Sequence, residues 1–482
     1  MFMKFCLRSI RFLLIAVLIS FIGITPAASQ KSVHFPDPYE CYQSVEIIQN
    51  RLSELVSLYP DLAHLKTIGL SYEERPIQAL QLGREVETNS KPKLVLISGL
   101  KANALAPVEL NLQFAEHLLN SYGQDANITW LLNQTEIHLI VVANPDGRLI
   151  AEQELMTDNV PVWTKNRNPY NCATGNGGVA LDLNFSYEWA AVNTDACAPD
   201  YPGPIAASEP ETLAIQTYLE TILTGNQANS LIIDLQNDGG QQSAEKIIIP
   251  FLYSKTAQNP LEDELYFLAN KLAYDTQLMP LRGSSPTIDI LTGTLIDYSF
   301  GELQTPSLRF NLGSTLAGGD VVSCWYFNEY LKPEGLAALT RAAIIAAAPL
   351  NLAQGPEITI HSIKQDIFSV TISGEANDMI FYKLPLKQSE YSAVHHVAFS
   401  IDVLPWLPNA ALTPIAGVPH PEAPYQMLFE HHFSLTDIPA GRHMLYFQAW
   451  DTNSSGEPDH AGMVNAVEID GSHLVFMPFM IK

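Results

Sequence analysis

Short apolar runs that alternate with helix-like segments constrain the fold of residues 38–350 more than any other feature of the chain. Residues 93–98 are almost entirely apolar, as expected of a strand covered on both faces, and residues 107–119 repeat apolar side chains at helical spacing. Further strand-like runs follow at residues 137–143, 231–235, 247–252 and 307–312. Further helical patterns occur at 41–58 and 209–223, another begins at about residue 261, and a last one ends at about residue 348. This alternation predicts an α/β fold whose mixed central sheet is flanked by helices.

The pattern changes after Pro349, and Gly355-Pro356 marks the expected boundary. Beyond it, short strand-like runs are separated by turns rich in Gly, Pro and Asn, which is typical of a β-sandwich. These runs lie at residues 357–361, 367–372, 398–403, 444–450 and 465–469. We therefore predict a carboxyl-terminal β-sandwich module, and residues 441–456 weakly resemble the last hairpin of bacterial immunoglobulin-like modules.

The amino-terminal segment has the pattern of a signal peptide. Basic Lys4, Arg8 and Arg11 precede an apolar stretch at residues 12–24, and small residues follow at 27–29. The sequence thus predicts a signal peptide at 1–29, an α/β domain at 30–352 and an immunoglobulin-like domain at 356–482. We expect a secreted or extracellular protein with no membrane span after cleavage of the signal.

The net charge of −25 restricts the partners of the protein. Nucleic acids and anionic membranes are bound through clustered Lys and Arg, so we expect neither as a partner. A peptide or glycan ligand is compatible with the composition, and the sequence leaves the oligomeric state open.

Several motifs occur in an order that resembles the zinc carboxypeptidase family, the carboxypeptidase A/B-like metallopeptidases. The matching segments are Gly69 to Ile77 (G-L-S-Y-E-E-R-P-I), Asn144 to Gly147 (N-P-D-G), Trp163 to Pro169 (W-T-K-N-R-N-P), Leu181 to Asn184 (L-D-L-N) and Tyr201 to Thr212. The resemblance covers about residues 38–350. It implies the α/β fold of that family, a zinc ion held by three side chains, and release of carboxyl-terminal residues from peptides.

The family's working residues are replaced at the matching positions of this chain. The three zinc-ligand positions hold Lys101, Ala104 and Gln236, and the position of the general base holds Asn311. The other replaced positions are those of the oxyanion arginine, the carboxylate-binding arginine and the mobile tyrosine, which hold Thr164, Phe185 and Phe300. Only Asn184 is retained. By their positions in the resemblance, we expect the substrate cleft to be formed by Lys101, Asn184, Phe185, Gln236 and Asn311.

The distribution of histidines supports this interpretation independently of any alignment. No His occurs between residues 139 and 360, where the family's third zinc ligand lies. Most of the other histidines lie in the carboxyl-terminal module, where His395-His396 and His431-His432 are adjacent pairs. Neighbours on a strand point to opposite faces, so we expect surface histidines rather than metal ligands.

Lys101 introduces a positive charge at a position where the family binds a divalent cation. We expect it to pair with an acidic group of the cleft, such as Asp234 or Asp238. No cofactor is expected, and zinc is expected only if the family function survives.

Four cysteines remain after the predicted signal peptide, and an even number in an exported chain favours disulfides. The resemblance implies a Cys172–Cys197 bridge, which leaves Cys41–Cys324 as the second pair. Two free buried thiols are the alternative for Cys41 and Cys324.

Three functions remain open at this level. The sequence favours a secreted, catalytically inactive pseudopeptidase whose cleft binds a peptide or another ligand. The alternatives are an active metallocarboxypeptidase with a non-standard metal site, and an extracellular protein that binds carbohydrate or a cell surface.

Overall fold

The central element is an eight-stranded sheet with the order β1-β2-β4-β3-β5-β8-β6-β7. The computed structural model describes residues 35, 37–85, 91–157, 159–237, 245–274, 276–286, 289–312, 321–366, 368–378, 392–453 and 455–471. The strands are β1 Ala63–Leu70, β2 Pro76–Leu82, β3 Lys93–Ser98, β4 Glu136–Ile140, β5 Ser230–Gln236, β6 Lys246–Ile248, β7 Met279–Leu281 and β8 Ser307–Asn311. Strands β4, β3, β5 and β8 run parallel to one another, and β6 and β7 are also parallel to each other. The pairs β1–β2, β2–β4 and β6–β8 are antiparallel. The predicted mixed sheet is confirmed, although the strand expected at 247–252 is shorter.

Helices cover both faces of this sheet. They are α1 Val45–Leu58, α2 Leu105–Ser121, α3 Ala126–Gln134, α4 Pro145–Met156, α5 Pro210–Leu223, α6 Glu262–Ala273, α7 Leu295–Gly301, α8 Cys324–Tyr326, α9 Lys332–Ile345 and α10 Pro349–Leu352. Strand β3 shows why two layers form: Leu94 and Leu96 enter one apolar cluster, with α1, α2, α6 and α9, and Val95 and Ile97 enter another, with α5 and α7. Alternate side chains of a strand point to opposite faces, so an apolar strand must be covered twice.

Local sequence explains where individual helices begin. Ser44 caps α1, because its side chain accepts a hydrogen bond from Ile47 N. Asn144 similarly accepts from Gly147 N at the start of α4, with Pro145 in the first turn. The N-P-D-G segment, one of the motifs that resemble the zinc carboxypeptidase family, is therefore the amino terminus of a helix.

The carboxyl-terminal strands form two antiparallel sheets around a core of their own. Their bounds are β9 Glu357–Gln365, β10 Ser369–Asn377, β11 Val394–Ile401, β12 Thr413–Ile415, β13 Gly417–His420, β14 Ala423–Ser434, β15 Arg442–Thr452, β16 Pro458–Ala461 and β17 Asn465–Asp470. One sheet has the order β13-β14-β10-β9, and the other has β12-β11-β15-β16 with β17 also paired to β15. The predicted β-sandwich character is confirmed, but the sequence missed β12, β13, β14 and β16.

One expectation about adjacent histidines is wrong. The Nδ1 atoms of His395 and His396 lie 2.7 Å apart instead of on opposite faces. The β11–β15 register shifts between Val394 and His396, and a bulge of this kind interrupts the alternation of side chains.

Both disulfides are confirmed. Cys41 pairs with Cys324, which joins the segment before α1 to the start of α8, and Cys172 pairs with Cys197. Among the described residues, no helix has the length and apolar character needed to cross a bilayer. The predicted signal peptide at 1–29 lies outside the described residues.

Candidate functional site

The candidate site lies at the edge of the sheet where the parallel strands β3, β5 and β8 end. In open α/β sheets this carboxyl edge is where ligands bind. Gln236 and Asn311 are register partners at the ends of β5 and β8, and Ser98, at the end of β3, pairs with Leu235. The chain leaves β3 through Gly99, whose φ of +72° favours glycine, and reaches Lys101 two residues later. The structure therefore brings Lys101, Gln236 and Asn311 to the same edge.

Lys101 forms an ion pair that the sequence did not identify. Its Nζ lies 3.6 Å from Asp182 Oδ2, and the Asp182 side chain is 4% exposed. The expectation of a pair with Asp234 is wrong, because Asp234 bonds to Arg309 and Gln236 instead. The proposed alternative partner, Asp238, lies outside the described residues.

Ala104 is fully buried immediately before α2, and its methyl group offers no ligand atom. Its backbone N donates to Lys101 O at 3.1 Å. The neighbouring Ala102 N donates to Thr164 O at 3.0 Å, so Thr164 borders the same loop. Ala104 therefore belongs to the packed wall of the site.

Gln236 is bonded to a buried charged pair at this edge of the sheet. Gln236 Nε2 donates to Asp234 Oδ1 at 2.8 Å, and Arg309 Nε contacts Asp234 Oδ2 at 2.9 Å. Neither Asp234 nor Arg309 is exposed to solvent. Burial raises the pKa of Asp234, and the Arg309 charge opposes this rise. Gln236 Oε1 has no hydrogen-bond partner among the described residues.

Asn184 and Phe185 are both fully buried. Asn184 Nδ2 donates to Pro202 O at 2.8 Å and to Ser208 Oγ at 3.0 Å, and its Oδ1 accepts from Glu209 N. The Phe185 ring lies 5.9 Å from the Tyr298 ring within the apolar layer beneath α5 and α7. Phe185 therefore offers no charge or polar side-chain atom.

Phe300 lies on α7, where its ring is 5.7 Å from that of Phe251. Thr164 Oγ1 contacts Pro199 O at 3.4 Å. Neither side chain can supply a positive charge to an oxyanion.

The residues at this edge do not fit a zinc ion. Zinc in proteins is bound by thiolate, imidazole or carboxylate groups, and a catalytic site uses three of them. Lys101, Ala104 and Gln236 offer an ammonium paired with Asp182, a methyl group and an amide. Within the described ranges, one group of three His, Cys, Asp or Glu side chains has the spacing of a metal site, and it lies in the β-module, at Asp451, Asp459 and His460.

Sequence reasoning missed Asp182, Arg309 and Asn103 as parts of this site. Asn103 is 2% exposed, its O accepts from Asn237 Nδ2 at 3.1 Å, and its Oδ1 has no partner among the described residues. Asp182 stands within the L-D-L-N match, so its proximity to the retained Asn184 was an available signal. Arg309 carried the weaker signal of a charge within an apolar strand.

Comparison with known proteins gives one consistent result. The model of the zinc carboxypeptidase family matches residues 48–340. An inactive metallocarboxypeptidase ECM14 of Ajellomyces capsulatus is 30% identical over 257 residues, which cover 52% of this chain and 40% of that protein. Carboxypeptidase A2 of Rattus norvegicus is 29% identical over 187 residues, which cover 38% of this chain and 42% of that protein.

The chain thus spans about two fifths of the length of these curated relatives. A crystal structure of thrombin activatable fibrinolysis inhibitor is similar in fold, with a TM-score of 0.56 and 22% identity over 64% of this chain and 74% of that one. Because the family match covers more than half of the sequence, this chain belongs to the zinc carboxypeptidase family.

Proposed function

We propose that this protein is a secreted, catalytically inactive zinc-carboxypeptidase-fold protein whose cleft binds a peptide or another ligand without hydrolysing it. The observation that carries the proposal is the side-chain set at the carboxyl edge of the sheet. Lys101, Ala104 and Gln236 occupy the positions that correspond to the family's zinc ligands. A metallopeptidase without its metal lacks both the activated water and the polarising charge.

The remaining catalytic requirements support the same proposal. A general base must accept a proton, and the amide of Asn311 is a poor base compared with a carboxylate. An exopeptidase must also hold the terminal carboxylate of its substrate, usually with an arginine. Phe185 presents a buried ring at the corresponding position. The name of the ECM14 relatives, which are called inactive metallocarboxypeptidases, is consistent with this proposal.

The Lys101–Asp182 pair gives the cleft a fixed ammonium where the family binds a divalent cation. An ammonium carries charge and three hydrogen-bond donors but lacks the Lewis acidity needed to activate water. The polar groups around it, Asn103, Gln236 and Asn311, can hydrogen-bond to amides as well as to hydroxyls. Ligand binding without hydrolysis is therefore the activity that this edge of the sheet supports. Two disulfides support secretion, since such bonds persist in oxidising compartments.

The test is restoration of the zinc site. The variant Lys101→His/Ala104→Glu/Gln236→His should bind one more zinc ion than the wild type, in a manner that chelators reverse. It should hydrolyse peptides poorly, because Asn311, Thr164 and Phe185 remain. The measurements are metal content after dialysis and release of carboxyl-terminal residues from a peptide panel.

Release of carboxyl-terminal residues by the wild type, abolished by a chelator and by Gln236→Ala, would overturn the proposal in favour of an active metallocarboxypeptidase. A matched control is Gln448→Ala. Gln448 is also a buried glutamine, but it lies on β15 of the β-module and not at this edge of the central sheet. Thermal-shift screening against peptides and glycans then identifies the ligand class, since a ligand that binds the native state raises its melting temperature.

A further inference from the structure

Three potential metal ligands converge on the β15–β16 hairpin of the β-module. His460 Nδ1 lies 3.4 Å from Asp451 Oδ2 and 3.7 Å from Asp459 Oδ2. One ligand atom from each residue lies within 4.8 Å of the other two. This group is separate from the carboxypeptidase cleft and has no part in the function proposed above.

A β-bulge explains how neighbouring residues reach the same point. Trp450 pairs with Ala461 and Thr452 pairs with Pro458, and the register shifts between these pairs. One residue, Asp451, therefore opposes two residues, Asp459 and His460. Adjacent side chains of a regular strand would point to opposite faces, but a two-against-one bulge redirects one of them. The local backbone thus holds an imidazole and two carboxylates together.

The spacing of the ligand atoms fits a small divalent ion. Zinc binds imidazole nitrogen and carboxylate oxygen at about 2.0–2.2 Å in tetrahedral geometry, so neighbouring ligand atoms lie about 3.3–3.6 Å apart. The two distances from His460 Nδ1 are close to that range. Asp451 Oδ1 accepts the backbone N–H of His460 at 2.5 Å, which orients the carboxylate and leaves Oδ2 towards the imidazole.

A second feature is the buried carboxyl group of Asp378, whose charge acts on Asp451. Asp378 is 2% exposed, and its Oδ1 has no hydrogen-bond partner among the described residues. Burial raises the pKa of Asp378, and the nearby charge of Asp451 adds to this rise. Lys271, fully buried on α6, contributes one positive charge to both carboxylates while its Nζ donates to Gly355 O at 2.7 Å. Asp451 and Asp378 therefore repel each other, Asp459 adds to the negative charge near Asp451, and a bound cation would relieve this repulsion.

We propose that Asp451, Asp459 and His460 bind a zinc ion. Imidazole together with carboxylates suits zinc better than calcium or magnesium, which prefer oxygen ligands alone. Three protein ligands leave a fourth position for water or for a group of a partner molecule. The ion would fix β16 onto β15 next to Gly462, where the hairpin approaches Pro356 and thus the start of the β-module.

The test uses the full chain without an affinity tag, after treatment with a chelator. Calorimetric titration with zinc chloride should show one binding event in the wild type, and Asp459→Asn or His460→Gln should weaken it at least tenfold. Asp459 and His460 side chains are 45% and 33% exposed, so both variants should fold. Zinc should raise the melting temperature of the wild type but not of either variant.

The matched control is His443→Gln. His443 Nδ1 lies 2.6 Å from Asp402 Oδ2 in the same module but belongs to a pair rather than a group of three. This variant should bind zinc like the wild type. Equal zinc affinity in the wild type and in Asp459→Asn, or a response to calcium chloride with none to zinc chloride, would overturn the assignment. Because the cleft residues are unchanged in all these variants, failure of this proposal would leave that for the cleft intact.

Discussion

Asp234 and Arg309 form an ion pair that is fully buried within the sheet. They are register partners on the adjacent parallel strands β5 and β8, and neither side chain is exposed. A buried charge is tolerated when it is paired, but the loss of one partner leaves the other desolvated without compensation. The pair also orients Gln236, through its bond to Asp234, at the edge of the cleft.

We predict that Arg309→Met lowers the free energy of unfolding by about 3–5 kcal/mol, because it leaves the Asp234 carboxylate buried without its partner. The double variant Asp234→Asn/Arg309→Met should lose less, since it buries no charge. Urea unfolding of the two single variants and the double variant measures the coupling. A double variant as unstable as the sum of the single ones would contradict this account.

Lys101 should contribute to stability through its ion pair with Asp182. Lys101→Ala leaves the nearly buried Asp182 without its ion pair, so we expect a loss of about 1–3 kcal/mol in the free energy of unfolding. Lys364→Ala removes an exposed lysine and should change the free energy of unfolding by no more than about 0.5 kcal/mol. Chemical denaturation of both variants tests this, and an unchanged stability in Lys101→Ala would show that the pair is without consequence.

At the scale of single elements, helix α2 contains a carboxyl group in an unfavourable environment. Glu109 is 2% exposed and accepts a hydrogen bond from Gln113 Nε2 at 2.6 Å. Burial raises the pKa of Glu109 to about 7, although Gln113 and Arg148 favour the charged form. A free glutamate has a pKa of about 4.3, so the folded state holds this proton more tightly than the unfolded chain.

The contribution of Glu109 to stability is therefore greatest below about pH 4.3 and is lost as the pH rises towards 7. We predict that Glu109→Gln removes this loss. The gain in the free energy of unfolding over the wild type should be larger at pH 8 than at pH 5, by on the order of 3 kcal/mol at most. Urea unfolding at both pH values measures the difference. The exposed Glu40→Gln is the control, and an identical pH dependence in both variants would refute the prediction.

The Cys41–Cys324 disulfide connects elements that are distant in the chain. Its cysteines are 283 residues apart, compared with 25 for Cys172–Cys197. In the chain-entropy description, a bridge stabilises by restricting the unfolded chain, more so for the longer loop. We predict that the Cys41→Ala/Cys324→Ala variant loses about 2 kcal/mol more than Cys172→Ala/Cys197→Ala. Equal losses in denaturant unfolding would show that native-state contacts dominate instead.

The sequence predicted the strands that are buried on both faces, and it failed for strands with an interrupted residue pattern or a β-bulge. Strands β3, β5 and β8 were predicted to within two residues at each end, because strands covered on both faces are apolar runs. Strand β14 was missed because Glu430, His431 and His432 are three consecutive polar residues, which hides the alternation in the sequence although the burial of the side chains still alternates.

The bulges were also invisible in the sequence. Nothing in the residue types shows that Asp459 and His460 together oppose Asp451 across the hairpin. At the candidate site, the motifs predict which family positions are substituted, but they did not predict the pair of Lys101 with Asp182. Asp182 lies in a short 3-10 helix, Leu181–Leu183, and only the folded chain brings it to the end of β3.

At the scale of the whole molecule, the β-module has its own core but also contributes residues to the apolar core of the α/β part. Leu404, Tyr446 and Val464 of the β-module belong to the same buried cluster as helices α1, α2 and α9. Trp130 on α3 lies at the centre of this contact, with its ring 6.3 Å from Trp406 and 6.1 Å from Tyr446. A continuous core of this kind favours cooperative unfolding, whereas small polar interfaces allow domains to unfold separately.

Polar contacts reinforce the same junction. Asn127 Oδ1 accepts the backbone N–H of Ala466 at 2.8 Å, and Asn465 Nδ2 in turn donates to Ile358 O at 3.1 Å. These bonds join α3 to β17 and β17 to β9. The β-module therefore forms part of the support for the helical layer that covers the sheet.

We predict a single calorimetric transition for the wild type, and a loss of about 3–5 kcal/mol in Trp130→Ala, because the variant leaves a cavity between the two parts. Trp325→Ala is the matched control: Trp325 is 64% exposed, so its removal should leave the transition almost unchanged. Two separate transitions in the wild type, with only one shifted by Trp130→Ala, would mean that the parts are independent. A single transition shifted as a whole would mean that substitutions in the β-module can destabilise the carboxypeptidase fold without contacting its cleft.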